Sequence, residues 1–208
     1  MVALGQKEVP TRLNEGDTYL SYIKTLADKN KSDIFKTSDL NEAAIIMAEI
    51  FRHAKSEVKI YDHCLNDDIS GKNDYFNEQL YRFLADGKRL KIVLRDNEQP
   101  YSRIYFTLSE YARTFTNQIE IKSASDEFNE NINRIFKKDV NFIVNDRNAF
   151  RVELDLREKA SDTVPAICSF NDPKIVQTLN EAFNPKFDTC NDIQLKSFFV
   201  HDRVFEFK

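Results

Sequence analysis

The sequence predicts a mixed α/β protein: a largely parallel central sheet flanked by helices, with a short N-terminal helical arm and a C-terminal strand. Three observations predict it. Segments with the 3.6-residue period of helices alternate along the chain with segments that have the two-residue period of strands. The 208 residues are 41% hydrophobic and 31% charged, with both signs interspersed, which is the balance of a globular chain able to bury a core. The length suits one sheet-centred domain with appendages, and the pattern places an arm and short helix at 1–38, the α/β domain at 39–187 and a strand-like extension at 188–208.

Each element has its own justification. Residues 1–15 are polar and aperiodic, and Tyr19, Tyr22 or Ile23, and Leu26 then fall at helical spacing. The clearest helix follows, with Asp39 as its cap, Glu42 three residues on, and Ala43, Ile46, Met47, Ile50, Phe51 and Ala54 in one apolar stripe. Glu57 to Asp62 alternates as a strand. A helix from Asp74 uses Phe76, Leu80, Phe83 and Leu84 and stops at Gly87, which suits a left-handed cap. Arg89 to Leu94 is the next strand, and two strands joined through a helix predict a parallel pair.

The order repeats with a helix over 102–115, a strand at Gln118 to Ile121, and a helix through Phe128, Ile132, Ile135 and Phe136. Val140 to Val144 and Ala149 to Leu154 then read as a hairpin around Asn145-Asp146-Arg147-Asn148. Ala166 to Phe170 is a further strand, and Pro173 to Phe183 a helix with Pro in its first turn. Residues 197–207, rich in Phe and Val, are strand-like and suited to an edge or a partner.

Composition excludes several function classes. No apolar run approaches the roughly eighteen residues of a membrane span, and the N-terminus lacks the apolar core of a signal peptide, so a cytoplasmic location and no membrane contact are expected. Cys64, Cys168 and Cys190 are odd in number and widely spaced, which points to neither a disulfide framework nor a zinc site. With four Gly and no Gly-rich phosphate loop, no nucleotide cofactor is expected. The net charge of −4 confines any nucleic-acid binding to a local basic patch. Two groups could form one: Lys137, Lys138, Arg147 and Arg151 near the hairpin, and Lys88, Arg89, Lys91 and Arg95 around a strand.

The stretch from about Leu40 to Phe187 resembles the phospholipase-D-like superfamily. The residues that carry the resemblance are a helix ending EIFRHAKSEVKIYD, the βα repeat YRFLADGKRLKIVL, the hairpin VNFIVNDRNAFRVEL, and CSFNDP before a closing helix. The superfamily's His-x-Lys-x4-Asp motif, in which the His attacks phosphorus, has no match here. In the most natural register Asn141, Ile143 and Asn148 stand near the motif positions; in a shifted one, Lys138, Val140 and Asn145 do. Cys168-Ser169-Phe170-Asn171 keeps the Ser and Asn of the Gly-Ser-x-Asn that follows the motif in the family, although Asn171-Asp172-Pro173 is equally an ordinary helix cap.

The resemblance therefore implies the fold without the activity: a catalytically degenerate domain acting as a binding or accessory subunit. It also implies a homodimer or a larger protein partner, in a bacterial or phage system for nucleic-acid handling or anti-phage defence. Its binding residues would be Asn141, Asn145, Arg151, Glu153, Ser169 and Asn171, with Arg151 and Glu153 either an exposed pair or a buried ion pair.

Two other readings stand beside it. One is an active phosphodiesterase or nuclease with a non-standard nucleophile, His63, at the end of a strand beside Asp62, where ligands collect in open α/β sheets. Neighbours on a strand point to opposite faces, which weakens that pair. The other is an interaction module of unrelated α/β fold. His53 lies beside a helix stripe and His201 in the terminal strand, and the three histidines share no ligand spacing, so no metal is expected.

Overall fold

The computed structural model describes residues 15–63, 73–95, 102–153 and 163–193. The predicted terminal strand over 197–207, the N-terminal arm before residue 15, and Cys64, Asp67, Asp68 and His201 lie outside the described residues.

Helix α1 spans Glu15–Asp28 and leads to strand β1, Phe35–Asp39. Asp39 caps α2 (Leu40–His53) by accepting from the backbone N–H groups of Asn41 and Glu42. The Glu42 side chain does not close a capping box; it accepts from the Thr37 hydroxyl at 2.8 Å and ties the helix to β1. Next come β2 (Glu57–Asp62), α3 (Asp74–Ala85), β3 (Arg89–Leu94), α4 (Arg103–Thr114), β4 (Ile119–Ser123) and α5 (Asp126–Phe136). The hairpin is β5 (Asn141–Asn145) with β6 (Phe150–Glu153), followed by β7 (Thr163–Ser169) and α6 (Pro173–Phe183). A 3-10 turn over Asn184–Thr189 and the two-residue strand β8 (Asn191–Asp192) close the described chain.

Among the described residues the eight strands form one sheet in the order β1-β7-β6-β5-β2-β3-β4-β8. The mixed α/β class holds, but the sheet is not largely parallel. Only β2–β3 and β3–β4 pair in parallel, and the other five pairings are antiparallel. The helical crossovers generate the parallel pairs as expected; the hairpin and both flanks, which involve strands distant in sequence, generate the rest.

Two cores cover the two faces. Ile23, Ile46, Phe51, Phe83, Leu84, Tyr105 and Leu108 from α1 to α4 pack on Val58, Ile60, Leu90 and Ile92. Phe128, Ile132, Leu179 and Phe183 from α5 and α6 pack on Tyr61, Val93, Phe142, Val144 and Phe150. The same alternation that sends Phe142 and Phe150 to the second face sends Asn141, Ile143, Arg151 and Glu153 to the first.

Candidate functional site

The chain's path singles out one end of the sheet. The connections β2-α3-β3 and β3-α4-β4 lay their helices on the first face, whereas α5 carries the chain back over the second face to β5, on the far side of β2. The connections diverge at the carboxyl end of β2, and such switch points form crevices where α/β sheets bind ligands.

The side chains there form one network. Arg95, the residue after β3, donates from Nη2 to Asn141 Oδ1 at 3.2 Å and pairs through Nη1 with Asp139 at 2.9 Å. Its guanidinium lies 5.9 Å from the Tyr61 ring centroid. The Asn141 amide donates to Glu153 Oε2 at 3.0 Å, and Arg151 donates to Glu153 Oε1 at 2.5 Å. Arg151 and Glu153 are 3% and 5% exposed, so the open choice between exposed and buried ion pair falls to the buried one. Toward β1, Tyr19 bonds to Thr37 and lies within electrostatic reach of Glu42, Cys168 and Arg151. Burial pushes the Tyr19 hydroxyl above its ordinary pKa, with Glu42 adding to the effect and a bond to Thr37 opposing it. Burial likewise raises the Cys168 thiol to about 12, so this cysteine is a packed, protonated group and no nucleophile.

The other sequence-selected residues sit at the opposite end of the hairpin, about 13 Å from Asn141 at roughly 3.3 Å per strand residue. Asn145 is buried and closes the β5–β6 turn: its Oδ1 accepts from Arg147 and Ala149 N–H, and its amide donates to the Ile50 carbonyl at 2.9 Å. Ser169 Oγ accepts from Asn171 N–H at 3.3 Å, and Asn148 donates to Asn171 at 3.3 Å. Asp172, not Asn171, caps α6. A cleft of 440 Å3 opens at this end, lined by Asp28, His53, Asp146, Arg147, Asn148 and Phe170. The structure thus brings Asn141, Arg151 and Glu153 together and leaves Asn145, Ser169 and Asn171 apart from them.

His63 follows β2 at the switch-point end and is exposed, and its backbone N–H donates to the Asp62 carboxylate at 2.7 Å. The basic residues expected to form patches are distributed. Arg95 and Arg151 belong to the network, Lys137 and Lys138 are exposed near Asp139, and Arg147 lies at the far turn. Lys88 pairs with Asp86, and Lys91 with Glu57. Sequence reasoning undervalued Arg95 and Tyr61. The signal for Arg95 was available, a cation placed directly after the apolar strand RLKIVL at a strand's carboxyl end.

Among the described residues no cluster of His, Cys, Asp and Glu is arranged to hold a metal ion, and no helix is long and apolar enough to cross a membrane.

The fold is similar to that of phospholipase-D-like proteins. No protein-family model matches the sequence, and no curated protein matches it in sequence. Solved structures do match. Nuc, a phospholipase D family member from Salmonella typhimurium, is 13% identical with a TM-score of 0.55, covering 78% of this chain and 99% of its own. TrmBL2, an archaeal chromatin protein with a novel mode of DNA binding, is 14% identical with a TM-score of 0.54 over 85% of this chain and 61% of its own. Phosphatidylserine synthase from Haemophilus influenzae is 12% identical with a TM-score of 0.50 over 79% of this chain and 40% of its own. The chain thus spans about three fifths of the length of the chromatin protein it matches. The likeness establishes the fold, and it removes the reading of an unrelated α/β architecture.

Proposed function

We propose that this chain is a catalytically degenerate phospholipase-D-like domain that works by binding, as an accessory subunit in bacterial or phage nucleic-acid handling, including anti-phage defence. One observation supports the reading: at the carboxyl end of β2 the side chains of Arg95, Asn141, Glu153 and Arg151 are bonded to one another, with the amide of Asn141 near the position where the superfamily uses a His nucleophile and the apolar Ile143 near that of its Lys. A nucleic acid fits as ligand because Arg95, Lys137 and Lys138 gather at this end, and because a DNA-binding chromatin protein shares the fold. Self-association as a homodimer, or docking to a larger cytoplasmic protein, would complete the binding surface.

The test is fluorescence anisotropy with single- and double-stranded DNA over a salt series. Affinity should fall with rising salt, and Arg95→Gln should weaken binding at least tenfold and flatten the salt dependence by about one unit of slope. Salt-independent affinity, or equal binding by Arg95→Gln, would remove the crevice from consideration.

A second reading has its own observation, the exposed His63 beside the Asp62 carboxylate at the same end. It makes the chain a phosphodiesterase with His63 as nucleophile. Hydrolysis of bis(p-nitrophenyl) phosphate or DNA that disappears in His63→Ala would establish it in place of the binding reading; no hydrolysis above buffer is expected.

A further inference from the structure

Toward the amino ends of β2 and β3, the second face of the sheet carries more positive than negative charge. Glu57 pairs with three cations at once: Lys59 at 3.3 Å, Lys91 at 3.2 Å and Arg89 at 3.4 Å. Lys59 and Lys91 stand side by side in the β2–β3 register, on the face of Tyr61 and Val93, and Glu120 stands opposite Lys91 across β3–β4. Asp146, which also acts on Lys59, is already held by the Lys55 and Ser56 N–H groups. Burial lowers the Lys59 ammonium from its ordinary pKa and outweighs Glu57, and the charge of Lys91 lowers it further. An added anion would relieve both effects.

A groove adjoins these cations. The Lys59 ammonium donates to Asn180 Oδ1 of α6 at 2.7 Å, and Asn180 lines a cleft of 440 Å3, within the range of about 300–1,000 Å3 for small-ligand sites. Pro173, Val176 and Pro185 give the cleft apolar wall, and Asn148, Gln177, Asn180 and Asn184 give it four carboxamides. Lys59 takes only the Asn180 oxygen, and Glu181 takes only one Gln177 N–H, at 2.8 Å. The Asn180 NH2 group and the Gln177 oxygen have no other partner among the described residues, so each amide keeps hydrogen-bonding capacity for a ligand.

We propose that this groove and the cations at its wall form a binding site for a nucleoside phosphate, with the base along α6 and the phosphate on Lys59, Lys91 and Arg89. The two halves of the site match the two halves of the ligand. Lys and Arg side chains are the usual partners of phosphate oxygens, and Asn and Gln read base edges through one donor and one acceptor, as with N6 and N7 of adenine. Glu181 lies on the α6 side, so the phosphate belongs at the lysine side. The site is separate from the Arg95 crevice. Arg95 follows the carboxyl end of β3, four residues beyond Lys91 and so about 13 Å along the strand.

The test is an NMR titration of the isotope-labelled full chain, following the side-chain NH2 signals of Gln177, Asn180 and Asn184. The probes are deoxyadenosine monophosphate, a short single strand of deoxyadenylate, and inorganic phosphate. The monophosphate or the strand should shift these signals, and Lys91→Gln should weaken that binding about tenfold. Arg89→Gln, at a 58% exposed side chain where folding is not at stake, should weaken it about threefold. Saturation by the monophosphate would identify a free nucleotide as the ligand, and a response to the strand alone would identify a single-stranded nucleic acid; either result supports the proposal. No shift with any probe would overturn it. So would equal affinity for inorganic phosphate, which would leave the amides no part in binding. Shifts that disappear in Arg95→Gln but persist in Lys91→Gln and Arg89→Gln would assign the binding to the crevice and overturn it as well.

Discussion

Replacing Glu153 with Ala tests whether the crevice network is a closed structural unit. The Glu153 carboxylate accepts from Arg151 on one oxygen and from Asn141 on the other, at 5% exposure, so the variant leaves a guanidinium at 3% exposure without its principal counter-charge and an amide without its acceptor. Breaking a buried pair from one side costs about 3–5 kcal/mol, because the remaining charge is desolvated and uncompensated. Each kcal/mol shifts the midpoint by about 2–4 °C in a domain of this size, so a loss of about 4 kcal/mol corresponds to a drop of roughly 8–16 °C. The double variant Arg151→Met with Glu153→Met removes both charges and retains comparable volume, and should recover most of the loss. The assay is urea unfolding followed by circular dichroism on the wild type, Glu153→Ala, and the cycle of Arg151→Met, Glu153→Met and their double variant, which gives the coupling energy directly. A single-variant cost below about 1 kcal/mol, with additive behaviour in the double, would mean that the pair is hydrated, and the account of a sealed network would fail.

Three further outcomes are expected. Asn145→Asp should cost about 2–3 kcal/mol in the same assay, because the amide that donates to the Ile50 carbonyl becomes a carboxylate facing it; unchanged stability would refute the turn-closing role. Desolvation pushes the Asp146 carboxyl upward, but bonds from the Ser56 hydroxyl and the Lys55 and Ser56 N–H groups outweigh it and hold the group below its ordinary value of 3.8. A depressed carboxyl contributes stability above its unfolded pKa and loses it as the pH falls through the folded one, so the stability gap between wild type and Asp146→Asn should be full at neutral pH and shrink below about 3.8. A gap constant from pH 7 to pH 3 would contradict this. Gly87 holds φ +79° at the end of α3 with open space around it, so Gly87→Ala should cost about 1 kcal/mol from backbone strain alone, and a neutral result would show that the turn relaxes.

Elements with strong local signals were legible. Helix α6 begins at Pro173 as its first-turn proline indicates, and β2 and β3 have the bounds that their alternation sets. The strands β1 and β8 were not, because FKTSD and ND are too short to display a period; partners make them strands, Ala166 and Cys168 of β7 for the first and Lys122 of β4 for the second. Sheet direction was misjudged for a related reason. Helical crossovers announce their own parallel pairs in the sequence, whereas β5 against β2 and β7 against β1 join segments with no sequence adjacency.

The site was half legible for a geometric reason. A motif read along the chain treats Asn141, Asn145, Ser169 and Asn171 as one constellation, but the strands return on themselves, and their ends are different places. Glu153 faces Asn141 across one end of β5–β6, while Ser169 faces Phe150 across the other end of β6–β7. Pleat parity identifies Asn141, Arg151 and Glu153 as neighbours on one face, and that follows from the hairpin register alone. What it omits is Arg95, contributed by β3 from 46 residues away and joined only because β2 separates β3 from β5. Asp139 holds Arg95 from a 60% exposed position, so that ion pair contributes little in water, whereas the Arg151–Glu153 pair behind it is sealed. The network is therefore rigid at its base and exchangeable at its rim. An incoming anion would have to displace only Asp139, and Arg95 is the residue through which the crevice would meet it.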